Sequence, residues 1–179
     1  RAGITMMRIS EFADIIRGNG LQKKDFSESG VGCIHYGQIY TKFDTVVKDV
    51  ITYVPSELAS KLKRVDPGDL IVAITSENEN DICKCVSWEG SDPIVTGGHA
   101  AIIKHHENPR YLSYVFQSTE FNRQKGKKIK GTKVMEMSPD SLGEIVVPLP
   151  PKNIQNEIVH KLDAMRSLVF DLTSGIPAE

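Results

Sequence analysis

A proline-rich segment followed by a heptad pattern sets the C-terminal part of this 179-residue chain apart. Pro150 and Pro151 cannot lie deep in a helix, so a helix is expected to begin near Asn153, a residue suited to the N-cap. Apolar residues then recur in alternating steps of four and three, at Ile158, Leu162, Met165, Val169, Leu172 and Ile176. This spacing is the seam of a two-helix coiled coil, but three heptads also fit a terminal helix that packs on its own domain.

Length and composition suit one body followed by this helix. The apolar content of 40% is enough for a sizeable core in a chain of 179 residues. We therefore expect a body over residues 1–151 and a helix over residues 152–179, interrupted at Gly175 and Pro177. No apolar run approaches the roughly 18 residues of a membrane span, and the first residues lack a signal peptide's apolar centre. A soluble, cytoplasmic protein is expected.

The body is expected to contain short elements of both types. Apolar residues at helical spacing predict a short helix in residues 7–17 and another helix from residue 109 through residue 121. A β-prone stretch at residues 33–40 predicts a strand, and the continuous apolar run of residues 70–75 predicts a buried strand. Because strands and helices do not alternate regularly, the expected fold class is α+β with a mixed sheet and short helices.

Motifs for catalysis or metal binding are missing from the sequence. It contains no Gly-rich phosphate loop, no Gly-x-Ser-x-Gly elbow and no His-Glu-x-x-His pair. Its five histidines are scattered apart from His105 and His106, so no metal site is expected. The three cysteines fit neither an even disulfide framework nor a zinc knuckle. Spacing alone leaves open a Cys–His hydrolase built on Cys83 or Cys85 with His99.

The positive signal is a local concentration of positive charge. The whole chain has a net charge of −1, yet residues 121–133 contain cationic side chains and no acid. These cations are Arg123, Lys125, Lys127, Lys128, Lys130 and Lys133. Gly126 and Gly131 permit close backbone approach and Thr132 can donate to a phosphate oxygen, which favours a loop that follows a nucleic-acid strand. A solvated lysine-rich loop without a ligand is the alternative.

Sequence-specific reading of DNA needs polar side chains that reach the edges of bases. The candidates for this role lie in the other polar loops of the body. They are Lys23, Lys24, Tyr40, Thr41, Lys42, Ser76, Asn78, Asn80 and His99.

A set of short motifs, each weak alone, occurs in a specific order through nearly the whole chain. The set comprises Ile-His-Tyr-Gly-Gln-Ile-Tyr at 34–40, Pro-Gly-Asp-Leu-Ile at 67–71, Val-Thr-Gly-Gly-His at 95–99, Lys-Gly-Thr at 130–132 and Ile-Val-Val-Pro-Leu-Pro-Pro at 145–151, with Gln155, Ile158 and Val159. In this order the motifs resemble the DNA specificity (S) subunit of type I restriction-modification enzymes. Such subunits resemble two copies of a target recognition domain followed by a helix, and this chain matches one copy.

The resemblance implies a non-catalytic reader of double-stranded DNA. Each recognition domain of the family binds one half of a split target, and the helices pair antiparallel as a spacer. The helix here would therefore pair with a second recognition repeat or with another copy of the chain. Methyltransferase (M) subunits would modify adenine with S-adenosylmethionine, and a restriction (R) subunit would cleave with ATP and Mg. These cofactors would be bound by the partners and none by this chain.

Two departures from the family pattern keep alternatives open. Residues 76–81 form an acidic segment where family members often carry glycines, so this loop either accepts from cytosine or is solvated. A single copy means either a fragment or a half-sized subunit that dimerises. From the residues alone, two other readings remain: a protein-interaction adaptor with a lysine-rich loop, and the recognition domain of a fused methyltransferase or nuclease.

Overall fold

A computed structural model of the protein describes residues 3–174, with side chains through residue 170. The strands are β1 (Thr5–Arg8), β2 (Ala13–Arg17), β3 (Val31–Ile34), β4 (Val46–Val47), β5 (Thr52–Val54), β6 (Lys63–Val65), β7 (Leu70–Ala73), β8 (Thr75–Ser76), β9 (Cys85–Trp88), β10 (Ile94–Thr96), β11 (Ala100–His105), β12 (Met135–Glu136) and β13 (Val146–Leu149). The helices are α1 (Tyr36–Thr41), α2 (Ser56–Ala59), α3 (Pro109–Phe116), α4 (Thr119–Gly126), α5 (Pro139–Gly143) and α6 (Lys152–Ser174).

The strands form two larger sheets and two small ribbons. The five-stranded sheet has the order β2-β11-β7-β9-β4, and the four-stranded sheet has the order β5-β3-β10-β6. Most neighbours are antiparallel, but β4 runs parallel to β9 and β3 runs parallel to β10. The ribbons pair β1 with β13 and β8 with β12. The predicted α+β class with mixed sheets and short helices, followed by one long helix, is confirmed.

The central strands of the five-stranded sheet are buried on both faces. On β7, Leu70 and Val72 contribute to the hydrophobic cluster that includes α3, α4 and α6 residues, while Ile71 contributes to the cluster that includes Ile34 and Trp88. Alternate residues of a strand point to opposite faces, so a strand covered twice must be apolar throughout. This explains why the continuous apolar run predicts a buried strand, although the strand predicted over residues 70–75 ends at Ala73 and Thr75–Ser76 form β8 of a separate ribbon.

The helix predicted in residues 7–17 is wrong. The segment forms β1, a short 3-10 turn at Ile9–Glu11, and β2. β2 pairs with β11 along its whole length, and Ile15 and Ile16 pack in opposite hydrophobic clusters. The apolar spacing is compatible with a helix in isolation, but pairing with a buried strand decides the conformation.

Two other boundaries differ from the predictions. The strand expected over residues 33–40 ends at Ile34, because His35 caps α1 and the rest of the segment is helical. The helix expected from residue 109 through residue 121 is interrupted between α3 and α4. There Ser118 accepts a hydrogen bond from the backbone N–H of Phe121 at 3.2 Å and thereby starts a new helix.

The last helix, α6, lies partly on the body and partly exposed. It begins at Lys152, one residue before the predicted N-cap. Val159 is buried and Ile158 packs against the main cluster, whereas Met165 is 62% exposed and Val169 is 60% exposed. The start of the predicted seam thus packs on its own domain and the later seam residues lie at the surface. The side chain of Leu172, together with Gly175, Ile176 and Pro177, lies outside the described residues.

The described part of the chain has no helix long and apolar enough to cross a membrane.

Candidate nucleic-acid interface

Helix α1 presents aromatic side chains at the surface because His35 fixes where the helix starts. The His35 Nδ1 accepts a hydrogen bond from the Gly37 backbone N–H at 3.2 Å, and the Gln38 side chain accepts from the His35 N–H at 2.8 Å. This reciprocal cap places Tyr36 and Tyr40 four residues apart on one face, with ring centroids 6.0 Å apart. The short helix therefore presents two adjacent aromatic rings.

The loop with His99 lies against this aromatic face. The ring centroids of His99 and Tyr36 are 4.8 Å apart, and His99 is exposed to solvent. The loop approaches β2 so closely that a Cβ on Gly18 would lie 2.2 Å from the Gly97 carbonyl oxygen. Only glycine permits this contact, which holds His99 beside α1.

Tyr40 connects α1 to the ribbon of β8 and β12. Its hydroxyl donates to the Thr75 carbonyl at 2.6 Å. Burial raises the pKa of Tyr40, so the phenol stays a neutral donor. Ser76 is buried beside it, and its Oγ accepts from the Asn78 N–H at 3.0 Å. Ser76 thus orients the following loop, while Asn78 and Asn80 are exposed on it.

A hairpin at residues 130–136 continues this ribbon. Lys130 and Glu136 exchange two backbone hydrogen bonds of 3.0 and 2.8 Å. Gly131 has φ of +91°, in the left-handed region that glycine adopts without strain, and its backbone turns tightly against Val134. As a result Lys130, Thr132 and Lys133 are exposed together at the tip.

Arg17 joins the His99 loop to this hairpin. Its Nε donates to the Gly98 carbonyl at 3.1 Å, and its Nη1 lies 2.6 Å from a Glu136 carboxylate oxygen. The loop, the hairpin and the exposed face of α1 therefore form one continuous surface, which we call the α1 surface. Its members are Arg17, Tyr36, Tyr40, Gly98, His99 and residues 130–136, and the buried Thr75 and Ser76 connect Tyr40 to the ribbon.

Lys23 and Lys24 extend the positive charge near this surface. Both are exposed in a 3-10 turn, Lys23–Asp25. The pKa of His35 is lowered by burial and by the nearby charges of Lys23 and His99. Lys23 therefore lies close to the α1 surface. Thr41 and Lys42 are exposed at the C-terminal end of α1, where the Thr41 hydroxyl donates to the Gly37 carbonyl at 2.9 Å.

The basic segment predicted as one lysine-rich loop is divided by the fold. Arg123 and Lys125 lie within α4, and only residues after Gly126 form a loop. Lys125 is 4% exposed, and its ammonium donates to the Glu79 and Ile82 carbonyls at 3.1 and 3.0 Å. The prediction of an exposed Lys125 is wrong, because helix α4 directs this side chain into the body.

The other cations of α4 and its end face two carboxylates. Arg123 pairs with Glu120 at 2.7 Å, and Lys128 pairs with Glu144 at 2.5 Å. These groups and Lys127 line an open groove beside β13. The structure therefore places Lys130, Thr132 and Lys133 on the α1 surface, and Arg123, Lys127 and Lys128 in a groove of mixed charge.

The cysteines offer no accessible nucleophile. Cys33, Cys83 and Cys85 are buried and free. Burial raises the pKa of Cys83 and that of Cys85 to about 12, which keeps both thiols protonated near neutral pH. His99 lies on the α1 surface, so the Cys–His hydrolase alternative finds no support. Among residues 3–174 no group of three His, Cys, Asp or Glu side chains is placed to hold a metal ion.

The order of elements, the α1 surface and the terminal helix agree with one family of proteins. Residues 2–179 match the model of the type I restriction modification DNA specificity domain. The chain belongs to this family. The specificity subunit of the type I restriction enzyme StySPI from Salmonella potsdam is 22% identical over 130 residues, covering 72% of this chain and 27% of that subunit. This specificity domain thus spans about a quarter of that relative.

Solved structures share the fold of this specificity domain. The HsdS subunit from Thermoanaerobacter tengcongensis superposes with a TM-score of 0.68 at 17% identity, covering 99% of this chain and 41% of that chain. A chain from a study of complex assembly and conformational transition in the type I restriction-modification system gives a TM-score of 0.69 at 19% identity, covering 96% and 40%. The fold is therefore that of specificity subunits, of which the chain spans less than half.

Arg17 and Tyr36 of the α1 surface are not among the candidates that the sequence predicts. The sequence predicts a helix at Arg17, where β2 forms, and a strand through Tyr36, where α1 begins. The signal that was available is Gln38, three residues after His35, which is the spacing of a reciprocal helix cap. The contact between Arg17 and Glu136 spans 119 positions and has no signal in a single sequence.

The His35 cap makes stability depend on pH. A folded-state pKa below the ordinary value of 6.5 means that folding favours the neutral imidazole. Its contribution is complete above pH 6.5 and is lost as pH falls through the lower folded pKa. We expect His35→Asn, which keeps a capping acceptor but does not titrate, to flatten the dependence of the unfolding free energy on pH between about 7 and 5. Urea denaturation at several pH values measures this, with exposed His106→Asn as control, and equal slopes for His35→Asn and wild type would contradict the role.

Proposed function

We propose that this chain recognises one half of a split double-stranded DNA target as part of a type I specificity subunit. The observation that carries the proposal is the α1 surface, where two adjacent aromatic rings, His99 and the exposed Lys130 and Lys133 lie together, with the exposed Asn78 and Asn80 on the loop directly after Ser76. Lysines suit phosphates, whereas His99, Tyr36 and Asn78 suit base edges. We assign the DNA-reading role to residues 1–151 and the spacer or dimerisation role to residues 152–179.

Within the proposed interface, Lys23, Lys24, Lys42, Lys130 and Lys133 would contact phosphates. Thr132 at the hairpin tip can donate to a phosphate oxygen, and Arg17 holds the tip against the His99 loop. In the groove that contains Arg123, Lys127 and Lys128, the carboxylates of Glu120 and Glu144 offset part of the positive charge. Phosphates at about four to six positions would give a log-log salt slope of about −4 to −5.

We propose a non-catalytic role for this chain, which follows the family to which it belongs. Adenine methylation with S-adenosylmethionine would belong to methyltransferase subunits, and cleavage with ATP and Mg to a restriction subunit. These partners, and a cytoplasmic location beside chromosomal DNA, follow the family. The exposed seam residues of α6 would pair with a second repeat or a second copy.

Selection of bound fragments from random double-stranded DNA tests the proposal. The subunit that contains this chain, assembled with its methyltransferase, is expected to enrich a short motif of a few base pairs next to a gap of fixed length. Two identical copies would enrich an interrupted palindrome. Binding without sequence enrichment would contradict DNA reading and would favour the adaptor alternative.

Lys125 provides an internal test of how the basic segment is divided. We expect Lys125→Met to leave the salt slope of DNA binding unchanged, because its ammonium is buried against backbone carbonyls. Lys130→Met should make the slope less negative by about 0.9, the contribution of one phosphate contact. Fluorescence anisotropy across a salt series on the folded fraction of each variant measures both. A less negative salt slope for Lys125→Met would show that this lysine contacts a phosphate and would contradict the division.

A further inference from the structure

A polar cluster ties α6 to the body after its buried start. Arg110 on α3 is the centre of the cluster. Its Nε and Nη2 donate to the two carboxylate oxygens of Glu89, both at 2.7 Å, and its Nη1 donates to Asp163 of α6 at 3.0 Å. Arg110 therefore joins the end of β9 to the helix through one planar group.

The same side of α6 makes two further contacts. The Tyr114 hydroxyl donates to the second Asp163 oxygen at 2.5 Å. One turn later Arg166 lies 5.9 Å from the Tyr114 ring centroid, donates to the Thr45 hydroxyl at 2.5 Å and forms an ion pair with Asp44. The helix is thus held from α3 and from the loop before β4 at once.

A second anchor lies near the start of α6. Gln155 is fully buried and bonds to the Asn108 N–H, the Pro150 carbonyl and the Glu107 carboxylate. Gln155 and Asp163 are separated by about 12 Å along the helix axis. A rigid rod held at two points of one body cannot pivot about either of them, so the two anchors fix the direction of α6.

The chemistry of the Arg110–Asp163 anchor favours orientation of the helix over added stability. The side chains of Arg110 and Asp163 are each about a third exposed, at 34% and 37%, and such ion pairs add little net stability. The planar guanidinium group, however, donates to carboxylates only within a narrow range of geometry. From Asp163 the described helix continues for about 16 Å, so a pivot of about 10° moves its end by roughly 3 Å, close to one base-pair step of about 3.4 Å.

We propose that Arg110 is a positioning residue that sets the angle between α6 and the α1 surface, and so selects the length of the gap between the two DNA half-sites. The inference rests on the proposed function of a split-target reader. Arg110 on α3 bonds to Glu89 at the end of β9 and to Asp163 of α6, so its effect on the preferred gap length acts through the direction of the helix.

The test compares gap-length preference in variants of the assembled subunit with its methyltransferase. The probes are duplexes that carry the two selected half-sites with gaps from two base pairs shorter to two longer. The wild-type complex is expected to lose about tenfold in affinity for each wrong base pair in the gap. In Arg110→Met and in Asp163→Asn this penalty should fall to about threefold or less, with the cost of a mutated half-site unchanged.

Lys161→Met is the matched control, because Lys161 pairs with Glu157 within α6 and contacts no part of the body through that pair. It should retain the wild-type gap preference, and Arg110→Lys should give an intermediate penalty. If circular dichroism shows that Arg110→Met does not fold, Asp163→Asn, on the surface of the helix, provides the test of gap preference.

Wild-type gap preference in folded Arg110→Met or Asp163→Asn would overturn the positioning role while leaving DNA recognition intact. If the wild-type complex selects no half-site motif, the proposed function is instead rejected. A structural role without positioning predicts an equal loss of affinity at every gap length, which also overturns the inference.

Discussion

Replacing Lys23, Lys130 and Lys133 together by glutamine is expected to lower the affinity for target DNA on the order of 100-fold at about 0.15 M salt. These exposed lysines belong to, or lie beside, the α1 surface, so each would neutralise a phosphate. The log-log salt slope should become less negative by about 2.7, the sum of three contacts of about 0.9 each. Fluorescence anisotropy with a duplex that carries the selected motif, across a salt series, measures both quantities.

A matched triple replacement provides the control. Lys48, Lys152 and Lys161 are exposed and none belongs to the α1 surface. Their replacement by glutamine removes the same total charge, so it reports the long-range effect of net charge alone. If both triple variants lose the same affinity and the same slope, the α1 surface is not the phosphate-binding face.

Gln155→Leu is expected to lower the free energy of unfolding by about 3 kcal/mol, the largest stability effect of a single uncharged replacement in this account. The fully buried amide donates to the Pro150 carbonyl at 2.8 Å and to Glu107 at 2.6 Å, and accepts from the Asn108 N–H at 3.0 Å. Leucine fills the space but leaves buried backbone groups without partners. Such groups cost about 1–3 kcal/mol each.

Urea denaturation followed by circular dichroism measures this loss. The control is Asn156→Ala, which removes one exposed hydrogen bond to the Asn108 side chain and should cost less than about 1 kcal/mol. Equal and small losses for the two variants would show that the buried amide does not hold α6 on the body.

The fold class was predictable because the strongest patterns are local. Strand β7 and the long C-terminal helix are both marked by apolar residues at the spacing of their element. The helix predicted over residues 7–17 is wrong because Ile9, Phe12, Ile15 and Ile16 fit both the helical and the strand period in so short a segment, and only pairing with β11 decides between them. Capping by His35 likewise overrode the β propensity of residues 33–40.

The candidate site was predictable in part for a related reason. Residues that lie in exposed loops, such as His99, Lys130 and Thr132, are visible as polar positions between apolar stretches. Lys125 is not distinguishable from its neighbours in the sequence, and only the direction in which α4 points it makes it buried. Arg17 reaches the surface through contacts with Gly98 and Glu136, which are distant in sequence. The ordered set of short motifs indicated the family, which no single local pattern could do.

The seam that marks the C-terminal helix has different surroundings along its length. Ile158 packs on the body, and exposed Met165 follows after the contacts of Asp163. A heptad pattern records which residues are apolar but not which surface covers them. Packing on the body therefore applies to the first part of α6, and assembly through the later, exposed part stays a prediction.

Methylome sequencing tests the central claim, that this chain reads DNA for a type I system, most directly. Cells that express the methyltransferase with the wild-type subunit are compared with cells that express it with the Lys23, Lys130 and Lys133 replacement. We expect a split motif methylated at adenine in the first cells and its loss, or strong depletion, in the second. An identical set of methylated motifs in both would contradict it.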